Sequence, residues 1–387
     1  MDRFITDLSI LLVAAGVLSV LAMLLRQPVI VAYILSGAII GPGMLGWIEG
    51  VHFIEVVSHL VITLLLFIAG LNLHPQKLIA LFRKTTLVTA ANCLVSFVIA
   101  FVAALFMGFG IIECLCVGLA LMYSSTILVV KLLPTTQLHH ERMGAACIGV
   151  LIMQDLLAVG ALAFIRCLGT AANPVLSFAV LTVKLIAFIS VLFLIEQFVL
   201  HRVMKRVDRL HEVLFVLGLA WCFGIAKMSY SMGLFYESGA FFAGVVLARQ
   251  PISRFIADKF RPLRDFFLVL FFFSMGARLD ISMLHGIILP AAVLAAVLMV
   301  VKPVVFEKAF QYAGETRKFS REAGFRLGQL SEFSLLVAFL AMELRLISLE
   351  ASQYIQLTTI LTFIVSSYLV VYKYPTPIGV EDDLMKD

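Results

Sequence analysis

Charge is what this chain holds least of. Asp, Glu, Lys and Arg make up 14% of its 387 residues, apolar residues 62%, and the mean hydropathy is +1.07. A soluble domain carries about a quarter charged residues, so a chain this poor in them is read as a polytopic membrane protein. Several signatures are missing as well. No H-E-x-x-H zinc signature, nucleophile with its base or pair of catalytic acids is present, which argues against an intramembrane enzyme. No T-V-G-Y-G loop is present, as a potassium channel's ring of filter carbonyls would want. The six cysteines (Cys93, Cys114, Cys116, Cys147, Cys167 and Cys222) lack the paired spacing of a metal site and read as small buried hydrophobes. The first apolar run lacks an A-x-A-like cleavage site and is expected to be retained. The acidic stretch after Tyr374, Glu381-Asp382-Asp383, is too short for a domain.

Two pattern matches mislead. Gly41-Pro42-Gly43-Met44-Leu45-Gly46 fits G-x-G-x-x-G, but it follows an apolar run, contains a proline and opens no βαβ unit, so it is a helix end and turn. His139-His140-Glu141 sits in a polar loop without a second ligand cluster, and a solvated loop is the better reading than a metal site.

What the chain has instead is apolar runs of membrane-crossing length, about 20 residues each. They lie near residues 7–25, 29–46, 52–71, 85–108, 111–131, 144–166, 174–200, 212–230, 233–249, 262–277, 283–305, 320–342 and 351–372, which predicts thirteen spans. An odd number puts the termini on opposite sides. With the N-terminus outside, 21 of the 29 Lys and Arg residues fall in cytoplasmic segments and five in outer ones, so the orientation is N-out, C-in. The net charge of +5 then reflects topology, and nothing points to nucleic acid.

One carboxylate breaks an apolar run near the middle of the chain: Asp155, preceded by Gln154, within Gly149–Gly160. A charge at the centre of a membrane helix costs about 2.5–3.5 kcal/mol even on lenient insertion scales, so such a residue faces a cavity or pathway by default. The competing reading is an Asp that only hydrogen-bonds a neighbouring helix. Either a proton or a dehydrated cation can neutralise the carboxylate, and the two exclude each other. Gln154 offers an amide oxygen to a cation without adding charge, or else is an outward-facing helix residue that hydrogen-bonds a neighbour.

The sequence also repeats itself. Phe67-Ile68-Ala69-Gly70-Leu71-Asn72-Leu73 resembles Phe273-Ser274-Met275-Gly276-Ala277-Arg278-Leu279, 206 positions on. The copies end spans three and ten, so an odd offset of seven spans gives them opposite orientations. The preceding runs, Gly37 to Pro42 and Gly244 to Pro251, also agree in character. The same shift carries Ser124-Ser125-Thr126 onto Leu330-Ser331-Glu332, so two spans are interrupted by polar residues at matched depth. That is the pattern of discontinuous helices whose half-helix ends hold ions, although Ser and Thr can also bond back to their own helix. Lys302, inside Val297–Val305, is expected to meet Asp155 or a freed carbonyl, or to snorkel toward the cytoplasm. Glu332 is expected to bridge the two halves or neutralise a half-helix end, with Arg326 as a candidate partner.

These motifs together resemble the monovalent cation:proton antiporters of the second large bacterial family, closest to the membrane part of Kef-type potassium efflux systems. The resemblance runs from about residue 10 to 372. It is carried by the run ending at Pro42, the run ending at Leu71, Ser124-Ser125-Thr126, Gln154-Asp155, the run ending at Gly276, Lys302 and Gly328-Gln329-Leu330-Ser331-Glu332-Phe333. It implies an all-α fold of thirteen transmembrane helices with inverted repeats (about 29–166 and 233–372, linker helix about 174–200), two crossing broken helices and elevator-type motion. The transporter domain would be single, 1–373, with a short cytoplasmic tail, 374–387, in a homodimer in the bacterial inner membrane.

The implied activity is exchange of a monovalent cation, K+ in the first instance, for H+, with the cation at Asp155. Gln154, Ser124, Ser125 and Thr126 would line the site and Lys302, Gln329, Ser331 and Glu332 support it, with no cofactor. Where electrogenic members carry a second acid, this chain has Gln154, so one-for-one electroneutral exchange is the simplest stoichiometry. Na+/H+ exchange and a gated potassium efflux channel are the alternatives. Asn72 and His74 replace acidic residues common in the family, and the loop from Gln250 to Asp265 is basic where Kef-type proteins are acidic, which puts glutathione control in doubt. A cytosolic regulatory domain or subunit would lie outside this chain, either because it is a piece of a longer protein or because it is a short member.

Overall fold

A backbone surrounded by hydrocarbon must satisfy its own amides and carbonyls, and this chain does so with helices. The computed structural model describes residues 2–25, 27, 29–48, 51–71, 75–133, 142–170, 174–207, 211–234, 236–250, 253–279 and 284–376. Among the described residues the regular structure is helical, with no strand. In order it comprises α1 Asp2–Leu24, α2 Val29–Ile40, α3 Val51–Leu71, α4 Pro75–Phe106, α5 Ile111–Ala120, α6 Thr126–Leu132, α7 Arg142–Thr170 and α8 Pro174–Ile195. A π-helical turn, Glu196–Leu200, leads into α9 His201–Val207, α10 His211–Ser231, α11 Tyr236–Leu247, α12 Ser253–Ala277, α13 Leu284–Tyr312, α14 Arg317–Arg326, α15 Phe333–Glu343 and α16 Leu349–Lys373. Seven of these helices are long and apolar enough to cross a membrane. Asn72, His74, His139, His140, Glu141 and the acidic tail lie outside the described residues.

The chain forms two compact units. The first comprises Met1–Gly50, Leu81–Thr170 and Met275–Asp387. Within it α16 packs on α13, α14 and α15, and a core of Val88, Val129, Cys147, Val150, Phe306 and Leu327 surrounds the short α6. The second comprises Val51–Ala80 and Ala171–Ser274, where α11 packs on α3 and α10. In the second unit, Phe260 meets Phe67 edge-on at 5.6 Å, and the Trp221 indole N–H donates to the Ala243 carbonyl at 3.0 Å. Apolar side chains on α1 and α8 point outward, such as Val17, 62% exposed, and Val183, 65% exposed. Such faces suit lipid.

Helices in lipid gain little from apolar burial against each other, so they associate by close approach at small residues. In the second unit, a Cβ on Gly70 of α3 would overlap the Phe241 carbonyl, and one on Gly244 of α11 would overlap the Phe67 carbonyl. In the first unit, Gly276 at the end of α12 meets the Ile34 carbonyl and the Ala38 amide, as Gly70 meets Phe241 and Val245. Ile34 and Ala38 precede Phe241 and Val245 by 207 positions, while Gly70 precedes Gly276 by 206. The contact therefore recurs with its partners exchanged. Likewise Gly118 of α5 sits on Phe97 of α4 and Gly324 of α14 on Pro303 of α13, each residue 206 positions from its counterpart.

Candidate functional site

Both interrupted runs are broken helices. The first breaks after Ala120, where Leu121 still donates its N–H to Val117, and the chain turns at Leu121-Met122 before reaching Ser125, which is extended. Ser125 restarts it as the N-cap of α6, its Oγ accepting the Leu128 N–H at 3.0 Å. The second breaks after Arg326, and α15 begins at Phe333, whose N–H donates to Ser331 Oγ at 3.2 Å. Cross-links join the breaks within the first unit. Gln329 Nε2 donates to the Ser125 carbonyl at 3.5 Å, Ser334 Oγ–H to the Ala120 carbonyl at 2.7 Å, and the Ile127 N–H to Glu332 Oε1 at 3.4 Å.

Each break leaves half-helix ends with unpaired backbone groups and partial charge. Charged side chains of opposite sign meet them. The Lys302 ammonium donates to the Tyr123 carbonyl at 2.6 Å, beyond the negative end of α5, and Asn92 Nδ2 donates to the Lys302 carbonyl at 3.4 Å. Glu332 accepts an amide from the positive N-terminus of α6 and a hydroxyl from Ser331 at 3.4 Å. Gln329 is held by Ser366 Oγ–H at 3.2 Å, and the Leu330 N–H by Thr362 Oγ1 at 3.2 Å.

Asp155 and Gln154 come from α7. Gln154 is fully buried, with Oε1 accepting the Ser124 N–H at 2.9 Å and Nε2 facing Cys93 Sγ at 3.6 Å. Asp155 is 3% exposed, and both its carboxylate oxygens lie 3.2 Å from Thr126 Oγ1. One hydroxyl hydrogen cannot serve two carboxylate oxygens, so the acceptor capacity of Asp155 is largely unused. The buried Ser124 hydroxyl, at the same break, has no hydrogen-bond partner among the described residues.

The nine residues assigned to the site from the sequence thus gather at the two breaks of one unit; the contacts choose among the alternatives for Lys302 and Gln154 and replace the pairing expected for Arg326. Lys302 is fully buried, so it does not snorkel, and it holds a carbonyl without pairing with Asp155. Arg326 does not pair with Glu332. It binds Glu322 one turn back at 2.8 Å, together with the carbonyls of Leu132 and Pro375. Gln154 faces inward, and its amide oxygen is engaged by the backbone of the first break. Asn92, Cys93, Thr362 and Ser366 also take part. Their lone polar side chains inside apolar runs were the signal available, but which of many such residues meet a break is a matter of tertiary contact.

The sequence matches the family described as sodium/hydrogen exchanger, transmembrane, over residues 8–371. It is 30% identical over 379 residues to K(+) efflux antiporter 5 of Arabidopsis thaliana, covering 95% of this chain and 66% of that protein. To K(+) efflux antiporter 4 of the same plant it is 31% identical over 393 residues, covering 95% and 63%. The chain therefore spans about two thirds of the length of these relatives. In three dimensions it is similar to the sodium proton antiporter MjNhaP1 from Methanocaldococcus jannaschii, with a TM-score of 0.75 at 16% identity over 95% of this chain and 96% of that one.

Proposed function

Since this chain belongs to the sodium/hydrogen exchanger family of transmembrane proteins, we propose that it is a secondary antiporter exchanging a monovalent cation for protons at Asp155. The observation that carries this reading is the buried carboxylate whose two oxygens share a single hydroxyl and have no cationic partner among the described residues. A buried charge without a counter-charge costs several kcal/mol. A proton or a cation removes that cost, and each displaces the other. A dehydrated cation beside Asp155 would find Thr126 Oγ1 and the Ser124 hydroxyl, which has no partner among the described residues, at the same break. Asp155 is neutralised once in either loaded form, which gives one cation for one proton.

The cation of this reading is potassium, as the names of the 30% and 31% identical relatives suggest. Sodium is the second reading, favoured by the family's description. The exchanged partners of Gly70 and Gly276, and the matched breaks, support an inverted duplication of about 29–166 and 233–372 joined by a linker helix. Thirteen spans with the N-terminus outside, elevator-type movement of the crossed breaks, a homodimer, a bacterial inner membrane location and a cytosolic regulatory partner belong to the same proposal.

The test is proton flux in proteoliposomes, followed with a pH-sensitive dye under an imposed gradient, on adding potassium, sodium or choline. Potassium-dependent flux that Asp155→Asn abolishes, with an unchanged size-exclusion profile, is the expected result. Retained exchange in the mutant overturns the mechanism, sodium-only flux changes the cargo, and potassium flux without proton movement points to a channel.

A further inference from the structure

Arg326 is 2% exposed, and the antiport chemistry above leaves it unused. Burying a guanidinium is costly unless its donors find acceptors, and here it makes four hydrogen bonds. Nε and Nη2 donate to Glu322 Oε1 at 3.0 and 2.8 Å. Nη1 donates to the Leu132 carbonyl at 3.1 Å, and Nη2 also to the Pro375 carbonyl at 3.0 Å. Leu132 is the last residue of α6, where carbonyls lack helical partners and a cation is favoured. Pro375 lies just beyond α16. The exit from α16 is gripped further by aromatic contacts. The Tyr374 ring lies 5.6 Å from the guanidinium carbon and 6.0 Å from the Phe325 ring, and Lys373 Nζ sits 4.2 Å from the centre of that same Phe325 ring.

The other end of α6 is the ion site, because its first residue, Thr126, holds Asp155 and its second donates to Glu332. Seven residues of helix span about 10 Å at 1.5 Å per residue, short enough to move as one rod. We propose that Arg326 is a positioning residue that clamps the far end of α6 to the segment leaving α16, so that displacement of Tyr374-Pro375 changes how Thr126 presents to Asp155. This rests on the antiporter reading for its functional consequence, though the mechanical link does not. Lysine is a poor substitute, since an ammonium cannot reproduce the planar fork that fills these acceptors together.

The experiment uses Arg326→Lys and Tyr374→Ala in the full chain, with two readouts. In proteoliposomes both variants are expected to raise the KM for the cation at least about threefold while kcat changes less than about twofold, the split expected when ground-state binding is lost. In amide hydrogen exchange both are expected to speed exchange in a peptide covering Ile127–Leu132 and leave one covering Ile111–Ala120 unchanged. Wild-type KM and wild-type α6 protection in a folded Tyr374→Ala protein overturn the proposal. Should wild-type protein show no cation-dependent proton flux, the antiporter reading fails by itself and the α6 exchange pattern still decides the clamp. Should Arg326→Lys fail to fold, Tyr374→Ala carries both readouts.

Discussion

At the scale of single residues, the site is built on differences in hydrogen-bond satisfaction. Gln154 and Asp155 are neighbours on α7, yet the amide has a partner at both its oxygen and its nitrogen, Ser124 N–H and Cys93, while the carboxylate is served by one hydroxyl among the described residues. Gln154→Leu therefore leaves a buried N–H unpaired and is expected to cost about 1–3 kcal/mol of stability, read as a lower midpoint in thermal unfolding in detergent. Thr126→Val keeps the shape but removes the one hydrogen-bond donor to Asp155 among the described residues and a candidate cation ligand. If that contact is worth about 1.4 kcal/mol, the cation KM rises about tenfold, and an unchanged KM in a folded mutant sets Thr126 aside. Gln154→Asp adds a second acid beside the first and is expected to make turnover voltage-dependent, measurable as current on a supported membrane; voltage-independent turnover in that mutant contradicts it.

At the scale of elements, helix positions were legible in the sequence because apolar runs and polar interruptions are local properties. The run at 111–131 resolves into α5 and α6, and that at 320–342 into α14 and α15, each breaking near the polar cluster that marked it. Contacts were less legible. Lys302 could have met a carboxylate, a carbonyl or the membrane surface, and only the packing of α13 against the first break selects the Tyr123 carbonyl. Arg326 was expected to look toward Glu332, but its guanidinium reaches the end of α6 and the exit of α16. The glycine contacts hold the helices at short range. Gly244→Val would push α11 off α3 and is expected to cost about 1–3 kcal/mol, the range for overpacking. Gly224→Ala, where nothing lies within 4 Å of the added carbon, is expected to be neutral or slightly stabilising because alanine favours helix. Equal thermal midpoints for both mutants and wild type would contradict the close-packed crossing.

At the scale of the whole molecule, the matched breaks bring two half-helix ends of each sign together within the first unit. Lys302 and Glu332 offset the ends, and under the proposed exchange Asp155 is the carboxylate whose charge changes with loading. The central claim is that proton and cation compete for it. The most direct test is isothermal titration of purified protein with potassium, and separately with sodium, over a pH series in two buffers of different ionisation enthalpy. Competition predicts that on the acidic side the apparent Kd rises about tenfold per pH unit, with close to one proton released per cation bound, by the reciprocity of linked binding. Asp155→Asn should show no binding heat. A pH-independent Kd with no proton release, or undiminished binding in the mutant, would contradict a shared site at Asp155.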